Sequence, residues 1–393
     1  MRTANFAKRR QRRQHHFTSF RVLLPLCAFV GTLHWTYEHN SRANIATVPR
    51  PQINRACCQR SFNWAKSHVE RVLNRFQNDS FSVQDINDAF RSLRGDKEVE
   101  NKFFLVTTTS TGEIEFSEDE VDDFTANCKD QLLKRLERMQ QKENLPDVTF
   151  IFSSLAALSQ IGNASTKVPI FSACSSETDH QHIFIPRAAP HWSSRNLADR
   201  AVVDFARKEP KVFFRGSLSS IERARLFNEF SAKHDYVDIS MTGVPDGAPC
   251  DERRTRWCPG LPAKWVEKYK LKKGEYVTMK SAANTHRYVL SVDGVGCADR
   301  LPALLSSNMI VFKSQSELKE FWYRDLVPNK HYIPIKPDFS DLISKVKVVR
   351  GWKVGDQKRM IASANEYVRE NLSEASLDCY MFTLLRAYAL KLI

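Results

Sequence analysis

No acidic residue occurs before Glu38, no Cys-x-x-Cys pair with zinc-finger spacing occurs anywhere, and there is no internal repeat. Low-complexity sequence is also missing apart from a short basic tail. Without repeats, 393 residues are best folded as one large or two medium domains with substantial cores. Without paired cysteines at metal spacing, disulfides are the favoured use of the eight cysteines from Cys57 onward, and no metal site is expected. The acid-free start explains much of the net charge of +14. Arg2, Lys8, Arg9, Arg10, Arg12, Arg13 and Arg21 supply half of it, and the rest is spread thinly along the chain. That distribution suits anionic substrates as well as polyanions, and a nucleic-acid partner is not favoured. The remaining composition, 42% apolar and 26% charged, is ordinary for a globular protein.

Behind the tail (1–21), Val22–Tyr37 reads VLLPLCAFVGTLHWTY. It is short beside the ~20 residues of a typical span, yet Arg21 can snorkel and Trp35 and Tyr37 can sit at the far interface. A cleaved signal peptide and a buried core helix are the alternatives. Glu38, His39 and Asn40 offer no small-x-small cleavage site, and the one-sided flanking charge disfavours a core helix. The expectation is a type II signal anchor over 22–37, with a stem over 38–55 and the body in the lumen. Sequons at Asn78, Asn163 and Asn371 agree, as do the cysteines beyond the anchor: Cys57, Cys58, Cys128, Cys174, Cys250, Cys258, Cys297 and Cys379. Cys250 and Cys258 form the easiest local pair, whereas Cys27 lies in the anchor. The ending Lys391-Leu392-Ile393 is not an ER-retrieval signal, so Golgi residence is favoured over the ER.

Periodicity predicts mainly helices over 56–141, interrupted by a strand at Lys102–Thr109. Strands follow at Asp147–Ser153, Val168–Ser172, Lys211–Phe214, Tyr288–Val292, Met309–Phe312 and His331–Ile335. Helices are expected at Ser220–Ala232, Arg300–Leu305, Gln315–Trp322 and through most of Gln357–Leu392. This alternation implies βαβ units and a parallel sheet, an α/β fold.

Two strand-to-helix junctions can hold an anion. At Arg215-Gly216-Ser217, followed by Ser219, Glu222 and Arg223, a glycine turn lets backbone N–H groups approach and arginines can fork two oxygens. Its plainer reading is an N-cap with a surface arginine. The second is Asp293-Gly294-Val295-Gly296-Cys297-Ala298-Asp299-Arg300. A cation at a helix start, as Arg300 is expected to be, is unfavourable unless an anion accompanies it. Both junctions fall at carboxyl ends of predicted parallel strands, where α/β folds bind ligands.

The segments FFRGS...ER, RYVLSVDGVGCADRLPALL and FWYRDLVPNKHYIPIKPDFSDL, with DCY before the final helix, resemble in order and spacing glycosyltransferase family 90, the protein O-glucosyltransferase and capsule-associated family. The resemblance is strong over about 205–385 and weaker over 145–195. It implies a GT-B fold of two Rossmann-like domains facing a cleft, here an acceptor-side domain over 56–200 and a nucleotide-sugar domain with closing helices over 201–393. It also implies inverting transfer from a UDP-sugar to a protein or glycan hydroxyl, with no cofactor or obligatory metal. Donor contacts carry over to Arg215, Ser217 and Arg223, and to Val295, Gly296, Cys297, Ala298, Asp299 and Arg300, the loop that wraps the diphosphate. Cys379 resembles the family cysteine that bridges back to an N-terminal one, here Cys57 or Cys58.

One departure concerns catalysis. Family members place an Asp just after the LPD strand to deprotonate the acceptor. Here the chain reads FSSLAALSQ, with Ala156 or Ala157 at that place. The nearest titratable group is Asp179, His180 and His182, whose plainer reading is a polar loop. IPRAAPHW resembles a loop near sugar and acceptor, which nominates Arg187 and Trp192. The expected function is UDP-sugar-dependent transfer of glucose or xylose. The alternatives are an inactive lumenal homologue that binds a glycan or partner, and a polyanion-binding membrane protein.

Overall fold

Strands and helices form where apolar runs and turn residues alternate, and they assemble into two five-stranded sheets. The computed structural model describes residues 59–95, 102–117, 120–121, 123–154, 167–176, 179, 181–187, 203–231, 234–243, 274–294 and 296–393. The basic tail, the 22–37 segment and the stem lie outside that set. Among the described residues no helix is long and apolar enough to cross a membrane.

The first sheet contains β1 (Phe103–Thr108), β2 (Ile114–Phe116), β3 (Val148–Ser153), β4 (Ile170–Ser172) and β6 (His182–Phe184), in the order β2-β1-β3-β4-β6. β3, β4 and β6 run parallel, whereas β1 is antiparallel to both its neighbours, with Phe104 opposite Phe152. The parallel expectation fails at this edge because a short turn joins β1 to β2, and such a turn can only make a hairpin. Gly112 supplies the positive φ of 105° that this turn requires.

The second sheet contains β7 (Glu209–Ser217), β8 (Val237–Gly243), β9 (His286–Ser291), β10 (Ile310–Ser314) and β12 (Ile333–Ile335). Its order is β12-β10-β9-β7-β8, and every pairing is parallel. The order therefore reverses between β7 and β9, the switch point at which doubly wound sheets open a crevice.

The helices are α1 (Gln59–Leu73), α2 (Val83–Arg94), α3 (Asp123–Gln140), α4 (Ile221–Phe230), α5 (Met279–Thr285), α6 (Leu301–Leu305), α7 (Leu342–Arg350), α8 (Val354–Asn371) and α9 (Glu374–Ala389). α9 returns to the first sheet: Tyr380 donates to the carbonyl of Phe184 at 2.7 Å, and the Tyr388 ring meets Phe171 at 4.9 Å. It is wholly buried at Cys379, which is disulfide-bonded to a partner outside the described residues.

The helix expected at Gln315–Trp322 is absent. Leu318–Lys319 instead forms β11, antiparallel to β5 (Ser175–Ser176), and a 3-10 turn follows at Tyr323–Asp325. Leu318, Phe321 and Trp322 have helical spacing, but Phe321 stacks on Tyr380 at 4.0 Å and Trp322 bonds Glu320 at 3.0 Å. Tertiary packing overrides the local period.

Candidate functional site

The switch point brings the two predicted junctions together. β7 ends at Ser217, and Ser220 caps α4 by accepting the Arg223 N–H at 3.3 Å. β9 ends at Ser291, and Val292–Arg300 leads into α6. Glycines make the close approach possible. A Cβ on Gly294 would lie 2.7 Å from Ser219 Oγ, and one on Gly216 would lie 3.0 Å from the Phe214 ring.

Arg223 spans both junctions. Its Nε donates to Asp293 O (3.1 Å), Nη2 to Val292 O (3.0 Å), and Nη1 to Ser217 O (3.2 Å) and Ser219 Oγ (3.0 Å). Arg300 approaches from the other side, donating from Nη1 to Arg215 O at 2.6 Å. Both guanidiniums lie over Phe214, at 4.7 Å for Arg300 and 5.7 Å for Arg223. Neither has a carboxylate within 4.0 Å among the described residues. The Nε and Nη2 atoms of Arg300 are buried and have no partner there. Burial first, then the charge of Arg223, pushes the Arg300 guanidinium down to about 9, so it stays cationic at neutral pH but at a cost. Unpaired buried cations of this kind are what a bound anion satisfies.

Arg300 is at the N-cap of α6, as expected, but with only five residues α6 has little dipole to oppose it. The unpartnered nitrogens carry the case instead. Arg215 is also placed differently from the expectation. Its side chain bonds Asp238 at 2.7 Å and the Glu275 carbonyl at 3.2 Å, so it ties β7 to β8 and offers only its own carbonyl to the site. Ser217 likewise contributes its carbonyl. In the second loop, Asp293 Oδ1 accepts the Ala298 N–H at 2.8 Å, Gly294 bonds the Gly296 carbonyl at 3.0 Å, and Asp299 is exposed. Val295 lies outside the described residues.

Cys297 is not merely loop backbone. It forms a disulfide with Cys174, two residues beyond β4, with 5.9 Å between the Cα atoms. Its carbonyl accepts from Arg187 Nη2 at 2.9 Å, while Arg187 Nε pairs with Glu320 at 2.8 Å. Burial opposes the Arg187 charge, but Glu320 outweighs it and holds the guanidinium above its ordinary range. Arg187, nominated for the acceptor, is therefore committed to the loop and to Glu320. Cys57, Cys58, Cys250 and Cys258 lie outside the described residues, and Cys128 is a free thiol that burial pushes up to about 11.

His182 is buried on β6, its Nδ1 lies 3.3 Å from the Asp179 carbonyl, and its Nε2 is buried without a partner. Burial, followed by the charge of Arg75, pushes it down to about 3, so it is neutral. Asp179 accepts from Ser175 Oγ at 3.0 Å and thereby closes its turn. His182 borders a small solvent-open cavity of about 30 Å³ together with His68, Arg75 and Glu320, which includes neither Arg223 nor Arg300. His180, Trp192 and both alanines at the expected base position lie outside the described residues. Asn78 is exposed, Asn163 is outside the described set, and part-buried Asn371 bonds the Tyr367 carbonyl at 3.2 Å.

Sequence reasoning missed Cys174, Glu320 and Lys313. Lys313 is buried over the Tyr323 ring at 4.9 Å, and burial lowers its pKa. Only Glu320 carried a signal, an acid beside the FWYRD motif.

A sequence profile of glycosyl transferase family 90 matches residues 121–393, which include both junctions. The chain belongs to glycosyl transferase family 90. Among family 90 relatives, protein O-glucosyltransferase 2 of Danio rerio is 27% identical over 264 residues, covering 64% of this chain and 49% of the relative. Protein O-glucosyltransferase 3 of Rattus norvegicus is 29% identical over 277 residues, covering 66% and 49%. Its Homo sapiens counterpart is 35% identical over 183 residues, covering 46% and 32%. The chain thus spans about half the length of the first two relatives.

Proposed function

We propose that the chain transfers a sugar, glucose or xylose, from a UDP-sugar to a protein or glycan hydroxyl with inversion. The observation that carries this reading is the pair Arg223 and Arg300, cationic at the β7–β9 switch point and donating to neutral oxygens rather than to a carboxylate, with two Arg300 nitrogens left without a partner among the described residues. Arg300 Nε and Nη2 would donate to diphosphate oxygens, while Arg223 holds the two turns at the spacing the diphosphate needs. As the acceptor hydroxyl gives up its proton to water and its oxygen attacks the anomeric carbon, the bond to UDP breaks and its electron pair moves onto the terminal phosphate oxygen. Arg300 stabilises that developing charge, which is how fixed donors accelerate a transfer. The relatives' names support a protein hydroxyl as acceptor and glucose as donor sugar. In this reading the two sheets form the halves of a GT-B cleft, a UDP-sugar suffices without metal or cofactor, and 22–37 anchors the chain in the Golgi membrane with the body lumenal, the ER being the second choice.

A second reading rests on one observation, alanine at positions 156 and 157 where an acceptor-side Asp is expected. There the chain keeps the donor site but binds a glycan or partner without turnover. Incubation of the full chain with UDP-glucose, UDP-xylose and other UDP-sugars separates the two. Release of UDP with a sugar added to an acceptor supports the first; UDP binding without release supports the second. Absence of UDP binding overturns both.

A further inference from the structure

Asp293–Arg300 needs a defined shape to serve a diphosphate, and its own composition does not provide one. It contains two glycines, and it ends in a guanidinium repelled by Arg223. Within the segment, among the described residues, the Asp293–Ala298 and Gly294–Gly296 hydrogen bonds give it shape. The stronger restraints come from the first sheet. Cys174, just past β4, holds Cys297 by its sulfur across 123 residues of sequence, and Arg187, just past β6, holds the same residue by its carbonyl. Arg187 is fixed in turn, by Glu320 through Nε and by Arg135, which donates to its carbonyl at 3.3 Å.

We propose that Cys174 and Arg187 are positioning residues for donor binding, holding the diphosphate loop in its binding shape from the opposite sheet before any nucleotide arrives. The proposal rests on the donor-site reading above. The tether acts where the loop is weakest. Cys297 lies beside Gly296 and two residues from Asp299, so fixing it limits both the glycine turn and the approach to Arg300. It also opposes the repulsion that would drive Arg300 away from Arg223 when no anion lies between them. A loop ordered in advance does not lose its freedom on binding, so its affinity is higher than that of a loop ordered by the ligand. The arrangement also keeps the carboxyl edge of β4 against the loop after β9, a fixed approach of the two sheets at this point.

The test uses the full chain, the double variant Cys174→Ser with Cys297→Ser, the single variants Arg187→Lys and Arg187→Ala, and Cys128→Ser as a thiol control. Two readouts are taken on protein that melts cooperatively: amide hydrogen exchange over 293–300 with and without UDP, and UDP affinity. The loop amides of the wild type are expected to be protected without UDP. In the double variant, protection should be lost without UDP and regained with it, and UDP affinity should fall about tenfold. Arg187→Ala should show a smaller loss of both, Arg187→Lys should recover part of it, and Cys128→Ser should change neither. A folded double variant with unchanged loop exchange and unchanged affinity overturns the proposal. If the double variant does not fold, Arg187→Ala decides, since it leaves the disulfide in place. If the wild type binds no UDP, the donor-site reading fails, and exchange without nucleotide still reports whether the tether orders the loop.

Discussion

Between α3 and α9, Arg135 and Arg138 converge on Asp378, whereas at the β7–β9 edge Arg223 and Arg300 converge on carbonyl and hydroxyl oxygens. Asp378 is fully buried and accepts from Arg135 at 2.9 Å, from Arg138 at 2.7 and 2.9 Å, and from Lys142 at 3.1 Å. Glu374 accepts a further bond from Arg138 at 2.8 Å. One nitrogen, Arg135 Nε, is left without a partner, but the guanidinium as a whole is paired. The two clusters are built from the same residue type, and each is at least partly buried. What separates them is the carboxylate. Arginines that bring their own acids serve the fold, and arginines held beside neutral oxygens are left able to receive an acid from outside.

The comparison is broken most severely at Asp378. Asp378→Ala leaves buried Arg135 with only the longer Glu374 contact at 3.6 Å as an ion pair and should cost about 3–5 kcal/mol of stability by denaturant unfolding. A loss below about 1 kcal/mol would mean the α3–α9 cluster is not structural. Next comes the bond that holds the loop after β9. Replacing Cys174 and Cys297 by serine should lower stability by about 2–4 kcal/mol, because a long closed loop is released in the unfolded chain; an unchanged melting temperature would contradict this.

His182 gives a pH test on the first sheet. Its folded pKa, about 3, lies below the ordinary histidine value, so between the two the unfolded chain binds a proton that the native state refuses. Its contribution is therefore intact above about pH 6.5 and is lost progressively on acidification, by about 2 kcal/mol at pH 5. His182→Phe should flatten the acid limb of the stability profile relative to wild type, and identical limbs would show that the ring is not buried neutral. The smallest effect sharpens the contrast. Arg300→Met should change the stability of the nucleotide-free protein by less than about 1 kcal/mol, since it removes a charge that burial and Arg223 disfavour more than Asp299 helps it. A loss as large as that of Asp378→Ala would place Arg300 among the structural arginines.

The second sheet was largely legible in the sequence. Strands buried on both faces appear as unbroken apolar runs, such as VFF before Arg215 and YVLSV before Asp293, and the glycine turns mark where they stop. The two junctions that meet at the switch point were legible for the same reason. Their internal geometry was not. Arg223 was expected to reach a ligand, but it is occupied in joining two turns, a role set by strand order rather than by local pattern. The Cys174–Cys297 bond spans 123 residues, and no spacing rule reaches that far. β11 was hidden because its partner, β5, lies far away in sequence and its apolar residues happen to follow a helical period.

The central claim is that Arg300 awaits a diphosphate. Isothermal titration of UDP into the full chain, into Arg300→Ala and Arg300→Lys, and into Arg369→Ala as an exposed control on α8 tests it most directly. The account predicts that Arg300→Ala binds about ten- to a hundredfold more weakly, the equivalent of a charge-assisted contact. Arg300→Lys should recover little, because an ammonium lacks the planar fork, and Arg369→Ala should match wild type. Equal UDP affinity in wild type and in folded Arg300→Ala would contradict the account.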